Sequence, residues 1–100
     1  MQHARVAIDT LTSGSIGDVS RRAEQGLLPV FAEQPGFIRY GLIECGNQAV
    51  SISLWETEAE ADAANTVAAT WVRDNMAQSV RLETTYVGDL AFFSPALALV

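Results

Sequence analysis

The sequence of 100 residues has no lysine, a single cysteine and a single histidine. Twelve acidic residues outnumber six basic ones, so the formal net charge is −6 at pH 7. Such a field repels phosphate groups, which disfavours nucleic acid and anionic membrane surfaces as partners. Because Cys45 has no second cysteine to pair with, a disulfide framework and a thiolate metal cluster are both excluded. We interpret Cys45 as a bystander thiol in a hairpin turn.

Long apolar runs are also lacking, since no segment approaches the ~20 residues of a membrane span. The N-terminus does not resemble a secretory leader, so a cytoplasmic protein is the expectation. His3 stands near the end of the chain, where we expect a frayed residue with no role as a base. No spacing of ligands typical of a metal site and no nucleophile elbow occurs, which leaves metalloenzymes and hydrolases without support. No cofactor is predicted.

What the chain does contain is enough apolar sequence for one small domain, with 49% hydrophobic residues. We predict a single domain over residues 1–100, with a core from about 4 to 93 and an apolar tail over 94–100. Four segments have the alternating or branched pattern of strands. In chain order these are "RVAIDTL", "FIRYGLIEC", "AVSISLW" and "RLETTYVGDLAFF".

Two helices are predicted between these strands. Ser15 begins the first with a capping-box pattern, and Pro29 predicts either a kink or a break that opens a second short helix. Thr57 and Glu60 form a better capping box before the second helix, which we expect to break near Thr70. The resulting order β-α-β-β-α-β predicts an α+β, ferredoxin-like fold with both helices on one face of a four-stranded antiparallel sheet.

The two faces of the third strand differ in character. Val50, Ile52 and Leu54 are expected to pack under the helices, so that Ala49, Ser51, Ser53 and Trp55 point to the open face. Asp9 is expected on this open face too, as a carboxylate that could serve in acid-base chemistry if buried. Either Arg39 or Tyr40 joins it, depending on a register that the sequence leaves open.

Three segments, "QPGFIRYGLIE", "SISLWETEAEADA" and "YVGDLAFF", together resemble the antibiotic biosynthesis monooxygenase superfamily of dimeric α+β barrels. The resemblance covers roughly residues 5–93. It implies a homodimer with two sheets face to face, and a cavity between sheet and helices or near the barrel interior. Activities in the family include cofactor-independent oxygenation of aromatic polyketides, quinol oxidation and haem degradation.

The resemblance can be carried over only position by position. Trp55 matches the tryptophan of the family's "W-E" motif, but Ser51 stands where the polyketide-oxidising members have an asparagine. Ala61 stands where those members have a tyrosine. Trp71 could match a tryptophan of the haem-degrading members, but their histidine has no counterpart here, which argues against haem degradation.

Two functions therefore remain open. One is a monooxygenase without metal or flavin that acts on a phenolic, quinol or polyketide-like aromatic molecule. The other is a small-molecule-binding or structural dimer without chemistry. The substrate-pocket candidates are Trp55, Ser51, Ser53, Trp71, Tyr40, Arg39 and Asp9. For Trp55 and Trp71 the competing interpretation is a place in the core, and for Ser51 and Ser53 a tight dimer interface.

Overall fold

A computed structural model describes residues 2–94. Four strands form one antiparallel sheet in the order β2-β3-β1-β4, and the helical segments cover one of its faces. The predicted ferredoxin-like class is therefore confirmed. The elements are β1 (His3–Leu11), α1 (Ile16–Arg22), a π-helical segment (Ala23–Leu27), α2 (Leu28–Ala32), β2 (Phe37–Cys45), β3 (Gln48–Trp55), α3 (Glu58–Asn75) and β4 (Val80–Asp89).

The first helical region changes its winding where the sequence predicts a break. The Ser15 hydroxyl accepts a hydrogen bond from the Asp18 backbone N–H at 3.1 Å and begins α1. The chain then widens into the π-helical segment before Pro29 enters the first turn of α2, where its missing N–H is tolerated. Gly26 lies in the widened part, and a Cβ there would overlap the indole of Trp71. A second short helix, α2, has Pro29 in its first turn, but it begins at Leu28 and helical residues run without interruption from Ile16 to Ala32, so the predicted break does not occur.

The predicted break of the second helix near Thr70 is wrong, because α3 continues to Asn75. Its start is as predicted, with the Thr57 hydroxyl accepting from the Glu60 N–H at 3.2 Å. Branched residues such as Thr70 only weaken a helix slightly, and packing on the sheet outweighs that preference. No helix within residues 2–94 combines the length and apolar character needed to cross a membrane.

The start of β1 and the end of β4 differ from the prediction. His3 is not frayed: it pairs opposite Trp55 and Asp89, and its Nδ1 lies 2.9 Å from Asp89 Oδ1. Because β1 lies between β3 and β4 in the sheet, it is hydrogen-bonded on both sides from its first residue. The fourth strand ends at Asp89 rather than at Phe93, and its paired residues end there opposite His3, with one further hydrogen bond from the Leu90 N–H to the Gln2 carbonyl at 2.9 Å. The predicted tail, apart from Ser94, lies outside the described residues.

The face of the sheet that packs against the helices is not the one predicted from the sequence. Ser51, Ser53 and Trp55 are buried beneath the helices, and Trp55 belongs to the same core cluster as Phe31 and Ala61. The alternation of the strand therefore directs Val50, Ile52 and Leu54 to the open face. The prediction assumed that the more apolar face meets the helices. Here α3 offers mainly alanines to the sheet, and small or hydroxylated side chains lie opposite them.

The register between neighbouring strands extends this result to the rest of the sheet. Asp9 pairs with Ala49 and so lies on the helix side, which corrects its predicted place on the open face. Tyr40 pairs with Ser53 and also faces the helices, whereas Arg39 pairs with Leu54 after an irregularity in β2 and is exposed. Of the two residues between which the sequence left the choice open, Arg39 is therefore the one on the open face, and Tyr40 lies with Asp9 on the helix side.

Candidate functional site

A cavity of about 770 Å³ lies between the sheet and the helices. All four strands contribute to its floor, and α1, the π-helical segment and α3 form the opposite wall. Most of the lining is apolar, including Val19, Leu27, Ala68, Val72, Met76 and Val80. Its polar lining includes Arg5, Asp9, Tyr40, Ser51 and Asn65. The cavity is partly open to solvent, and an apolar cleft with a few convergent polar groups is typical of a small-molecule site.

Small side chains on both walls leave this space open. Ala7 and Ser51 pair across β1 and β3, and Ala68 and Ala69 line the cavity from α3. A well-packed interior fills such positions with larger aliphatic residues. The cavity therefore follows from the same small residues that the sequence shows on the third strand, although it lies on the other side of the sheet from the one predicted.

Arg5 is buried in the cavity wall, with only 4% of its surface exposed. Its Nε donates a hydrogen bond to Asn65 Oδ1 at 2.6 Å, and its Cζ lies 6.0 Å from the centre of the Phe31 ring. Burial lowers the pKa of the guanidinium, while the charges of Tyr40 and Asp9 act in the opposite direction. Because a guanidinium is not deprotonated in proteins, Arg5 stays a cation at neutral pH.

Asp9 is the carboxylate of the cavity. Desolvation by burial raises its pKa above the usual value, and the nearby charge of Glu83 adds to this effect. Arg5 opposes the shift by favouring the charged form. A carboxylate with a raised pKa holds a proton more tightly than one in water, and this makes it a better general base when it is ionised.

Tyr40 brings a phenol to the same space. Burial raises the pKa of its hydroxyl, whereas a hydrogen bond with Ser51 and the charge of Arg5 lower it, and Asp9 raises it further. At neutral pH the hydroxyl is therefore protonated and able to donate a hydrogen bond. Tyr40 also lines a second, smaller cavity of about 230 Å³ beside β2, together with Ala23 and Leu42, which likewise line both cavities.

Three of the seven predicted pocket residues line the main cavity: Asp9, Tyr40 and Ser51. Trp55 does not. It is 1% exposed, its Nε1 donates to Ser53 Oγ at 2.9 Å, and its ring meets Phe31 and Phe37 edge-on at 5.3 and 5.5 Å between centroids. Trp55 and Ser53 therefore form a closed pair within the core, where the indole N–H finds its acceptor two residues away.

The other two predicted residues also lie outside the cavity lining. Trp71 packs against both clusters of the core beside Gly26, and Arg39 is exposed on the far face of the sheet. The sequence reasoning overlooked Arg5 and Asn65. A signal for Arg5 existed, because it shares the alternation of Ala7 and Asp9 along the first strand. No group of three or more histidine, cysteine or acidic residues within 2–94 is arranged to hold a metal ion.

Comparison with known proteins finds similarity in structure only. No protein-family model matches the sequence, and no curated protein matches it either. Among solved structures, SnoaB, a cofactor-independent oxygenase from Streptomyces nogalater, superposes with a TM-score of 0.67 at 21% identity, covering 94% of this chain and 97% of SnoaB. A provisionally assigned antibiotic biosynthesis monooxygenase from Bacillus cereus has a TM-score of 0.63 at 14% identity, covering 99% and 100% of the two chains.

The fold is that of the antibiotic biosynthesis monooxygenases. The resemblance seen in the three sequence segments is thereby confirmed at the level of architecture. MupZ from Pseudomonas fluorescens shares the same architecture with a TM-score of 0.72 at 10% identity, covering 89% of this chain and 73% of MupZ. A fold of this kind hosts different functions, so the chemistry of this chain has to be argued from its own cavity.

Proposed function

We propose that the chain is a monooxygenase that needs neither metal nor flavin and acts on a phenolic, quinol or polyketide-like aromatic molecule. The observation that carries this proposal is Asp9, a carboxylate whose pKa is raised inside an apolar cavity large enough for a ring system. Perturbed carboxylates in enclosed cavities are frequent among acid-base residues. The likeness to SnoaB, described as a cofactor-independent oxygenase, supports the same class of reaction.

In the proposed reaction Asp9 takes a proton from an acidic C–H or O–H of the substrate. The electron-rich carbanion that results reacts with O2, and the hydroperoxide formed at that carbon loses water. For a ring CH2 group, both hydrogens and one oxygen atom leave as H2O, while the other oxygen atom remains as a carbonyl. The substrate supplies all the electrons, so no further reductant is required.

Two cavity groups would act on the negative oxygen that develops during proton removal. Tyr40 offers a protonated hydroxyl and Ser51 a second one. Donors held in place in an apolar enclosure stabilise a developing charge more than water does. The hydroxyl of Ser51 takes the place of the amide that the resemblance would put there.

The second candidate is a small-molecule-binding dimer without chemistry. It is favoured by Ser51 and Ala61 at the two positions where the polyketide-oxidising relatives carry an asparagine and a tyrosine. In that case the cavity holds an aromatic ligand, and Asp9 contributes negative charge to the cavity but takes no proton from the ligand. Ligand binding is common to both functions, whereas O2 consumption belongs to the first alone.

Oxygen uptake therefore tests the proposal. Purified protein is mixed with anthrone, naphthol and quinol substrates in the presence of a chelator, with an oxygen electrode as readout. We expect uptake of one O2 per molecule oxidised, and 18O from 18O2 in the product carbonyl. Tight binding of these compounds with no uptake above the spontaneous rate would instead establish the non-catalytic function.

A homodimer joined through the open face of the sheet is the second part of the proposal. That face carries apolar side chains including Ile43 and Tyr86, which are 49% and 63% exposed in the single chain. Patches of this kind usually mark an interface. Light scattering at micromolar concentration is expected to give twice the mass of the 10.8 kDa chain.

Charge substitutions at the rim of this face check the dimer. Because Ile43 and Tyr86 are well exposed in the monomer, Ile43→Asp and Tyr86→Asp should fold, yet each buries an unpaired charge in the dimer. We expect dissociation constants to rise about 100-fold or more. Asp62→Lys on the exposed side of α3 is the control and should leave the dimer intact. A wild-type monomer at these concentrations would contradict the proposed interface.

A further inference from the structure

Arg5 is a buried cation with an incomplete set of partners. Its guanidinium has five N–H donors, and the structure assigns one of them, the Nε–H, to Asn65. Within residues 2–94 no carboxylate forms an ion pair with Arg5. Asp9 and Tyr40 influence its charge only through space.

A buried charge without a direct counterion is costly, and it usually signals a function for the charge. The hydrogen bond that Arg5 donates to Asn65 and the position of its Cζ over the Phe31 ring hold the guanidinium at the cavity wall. An arginine held in this way presents a planar fork that suits the two oxygens of a carboxylate. The missing counterion can thus come from a molecule that enters the cavity.

We propose that the ligand of this cavity is an aromatic carboxylic acid whose carboxylate binds Arg5. The inference rests on the proposed function and specifies its substrate class. Apolar residues such as Leu27, Ala68 and Met76 would contact the ring system. Neutral phenols and quinols of the same size would fit the cavity but leave Arg5 without its partner.

The position of Asp9 agrees with this assignment. It lies four residues beyond Arg5 on the same side of β1, which corresponds to roughly 13 Å along a strand. A carboxylate anchored at Arg5 would therefore direct the far part of a fused ring system towards Asp9. The anchoring cation and the proton acceptor are separate groups, so binding and proton removal can be altered independently.

A matched pair of ligands tests the proposal without requiring turnover. The probes are a dihydroxyanthraquinone carboxylic acid and the parent dihydroxyanthraquinone, and tryptophan fluorescence or calorimetry gives their dissociation constants at pH 7. We expect the wild-type protein to prefer the acid by about 10- to 100-fold, the range for a hydrogen bond to a charged group. Arg5→Met should remove that preference while the parent compound binds as before.

Arg73→Met is the matched control, because Arg73 also lines the cavity but is exposed and bonded to Asp74 at 3.3 Å. It removes the same charge from the chain and should leave the preference for the acid unchanged. If Arg5→Met fails to fold, Asn65→Ala serves instead. Loss of the hydrogen bond that orients Arg5 should reduce the preference by about 3- to 10-fold.

Equal affinity of the wild-type protein for the acid and the parent compound would overturn the inference. An equal loss of affinity for both compounds in Arg5→Met would overturn it too. These outcomes are separate from the fate of the proposed function. O2-dependent oxidation of neutral phenols with no preference for acids would keep the monooxygenase and remove the carboxylate anchor. Binding of the acid that depends on Arg5, with no oxygen uptake, would keep the anchor and remove the monooxygenase.

Discussion

Asp9→Asn is expected to lower the rate of O2-dependent oxidation by about 10²- to 10⁴-fold, the usual contribution of a general base. The asparagine has nearly the same shape but cannot accept the proton. Aromatic ligands should still bind, because the apolar lining and Arg5 remain. Oxygen uptake and a ligand titration on the same preparation measure the two effects separately.

The same substitution, which lowers the rate of oxidation, should raise the stability of the folded chain at neutral pH. Burial raises the pKa of Asp9 above its ordinary value of 3.8, so ionised Asp9 is less favourable in the folded chain than in the unfolded one. The stability associated with its neutral form is fully present below pH 3.8 and is lost as the pH rises through the raised pKa. Asp9→Asn should therefore raise the Tm at pH 7 and change it little near pH 3.5.

Asp62→Asn is the control for both measurements, since Asp62 is an exposed carboxylate on α3. It should alter neither turnover nor the Tm. An Asp9→Asn protein with full activity would assign proton removal to another group. A Tm that falls at pH 7 would mean that the attraction between Asp9 and Arg5 outweighs the desolvation of the carboxylate.

Trp55→Ala is expected to lower the free energy of unfolding by about 3–5 kcal/mol, the range for removal of a large aromatic side chain from a core. The indole is 1% exposed and contacts the rings of Phe31 and Phe37. Its loss opens a void and also leaves the Ser53 hydroxyl without its donor. Because small domains have stabilities of about 5–15 kcal/mol, the variant should be close to unfolding at 37 °C. Urea denaturation followed by circular dichroism measures the change.

Trp55→Phe provides a comparison that keeps the aromatic core but removes the N–H. Its loss of stability should be clearly smaller than that of Trp55→Ala. Ligand affinity of Trp55→Phe should match the wild-type value, since Trp55 does not line the cavity. A folded Trp55→Ala protein with unchanged unfolding energy and abolished ligand binding would support the original interpretation of Trp55 as a pocket wall.

The elements of this fold were predictable because their signals are local. The capping boxes at Ser15 and Thr57 begin the helices where the structure has them, and Pro29 lies in the first turn of α2, which follows the π-helical segment without a break. The break expected near Thr70 did not form, because packing of α3 on the sheet outweighs a modest loss of helix propensity. The fourth strand was predicted too long because "LAFF" is suited to a strand by its residues, whereas the pairing with β1 ends at Asp89 opposite His3.

The candidate site was predictable only in part. Ser51, Tyr40 and Asp9 line the cavity between the sheet and the helices, although Ser51 and Asp9 were expected on the open face. The place of Trp55 in the core was not predictable, because a tryptophan at the end of a strand can serve a core or a pocket equally well. Arg5 and Asn65 are 60 positions apart in the chain, and only the packing of α3 over β1 brings them together.

By itself the sequence determined the order of strands and helices, the ferredoxin-like class and the presence of two chemically different faces on the third strand. Only the tertiary structure decided which of these faces meets the helices. Side chains alternate along a strand with a period of two, so the sequence shows which residues share a face but does not show which face is buried. The choice depends on what covers each face: Ala61, Ala64 and Ala68 of α3 share a core cluster with Trp55 on the covered face, and the branched residues Val50 and Ile52 are on the open side. Arg5, Asp9 and Tyr40 follow that choice into the cavity, which is why the site emerged from the packing of distant elements rather than from any single segment.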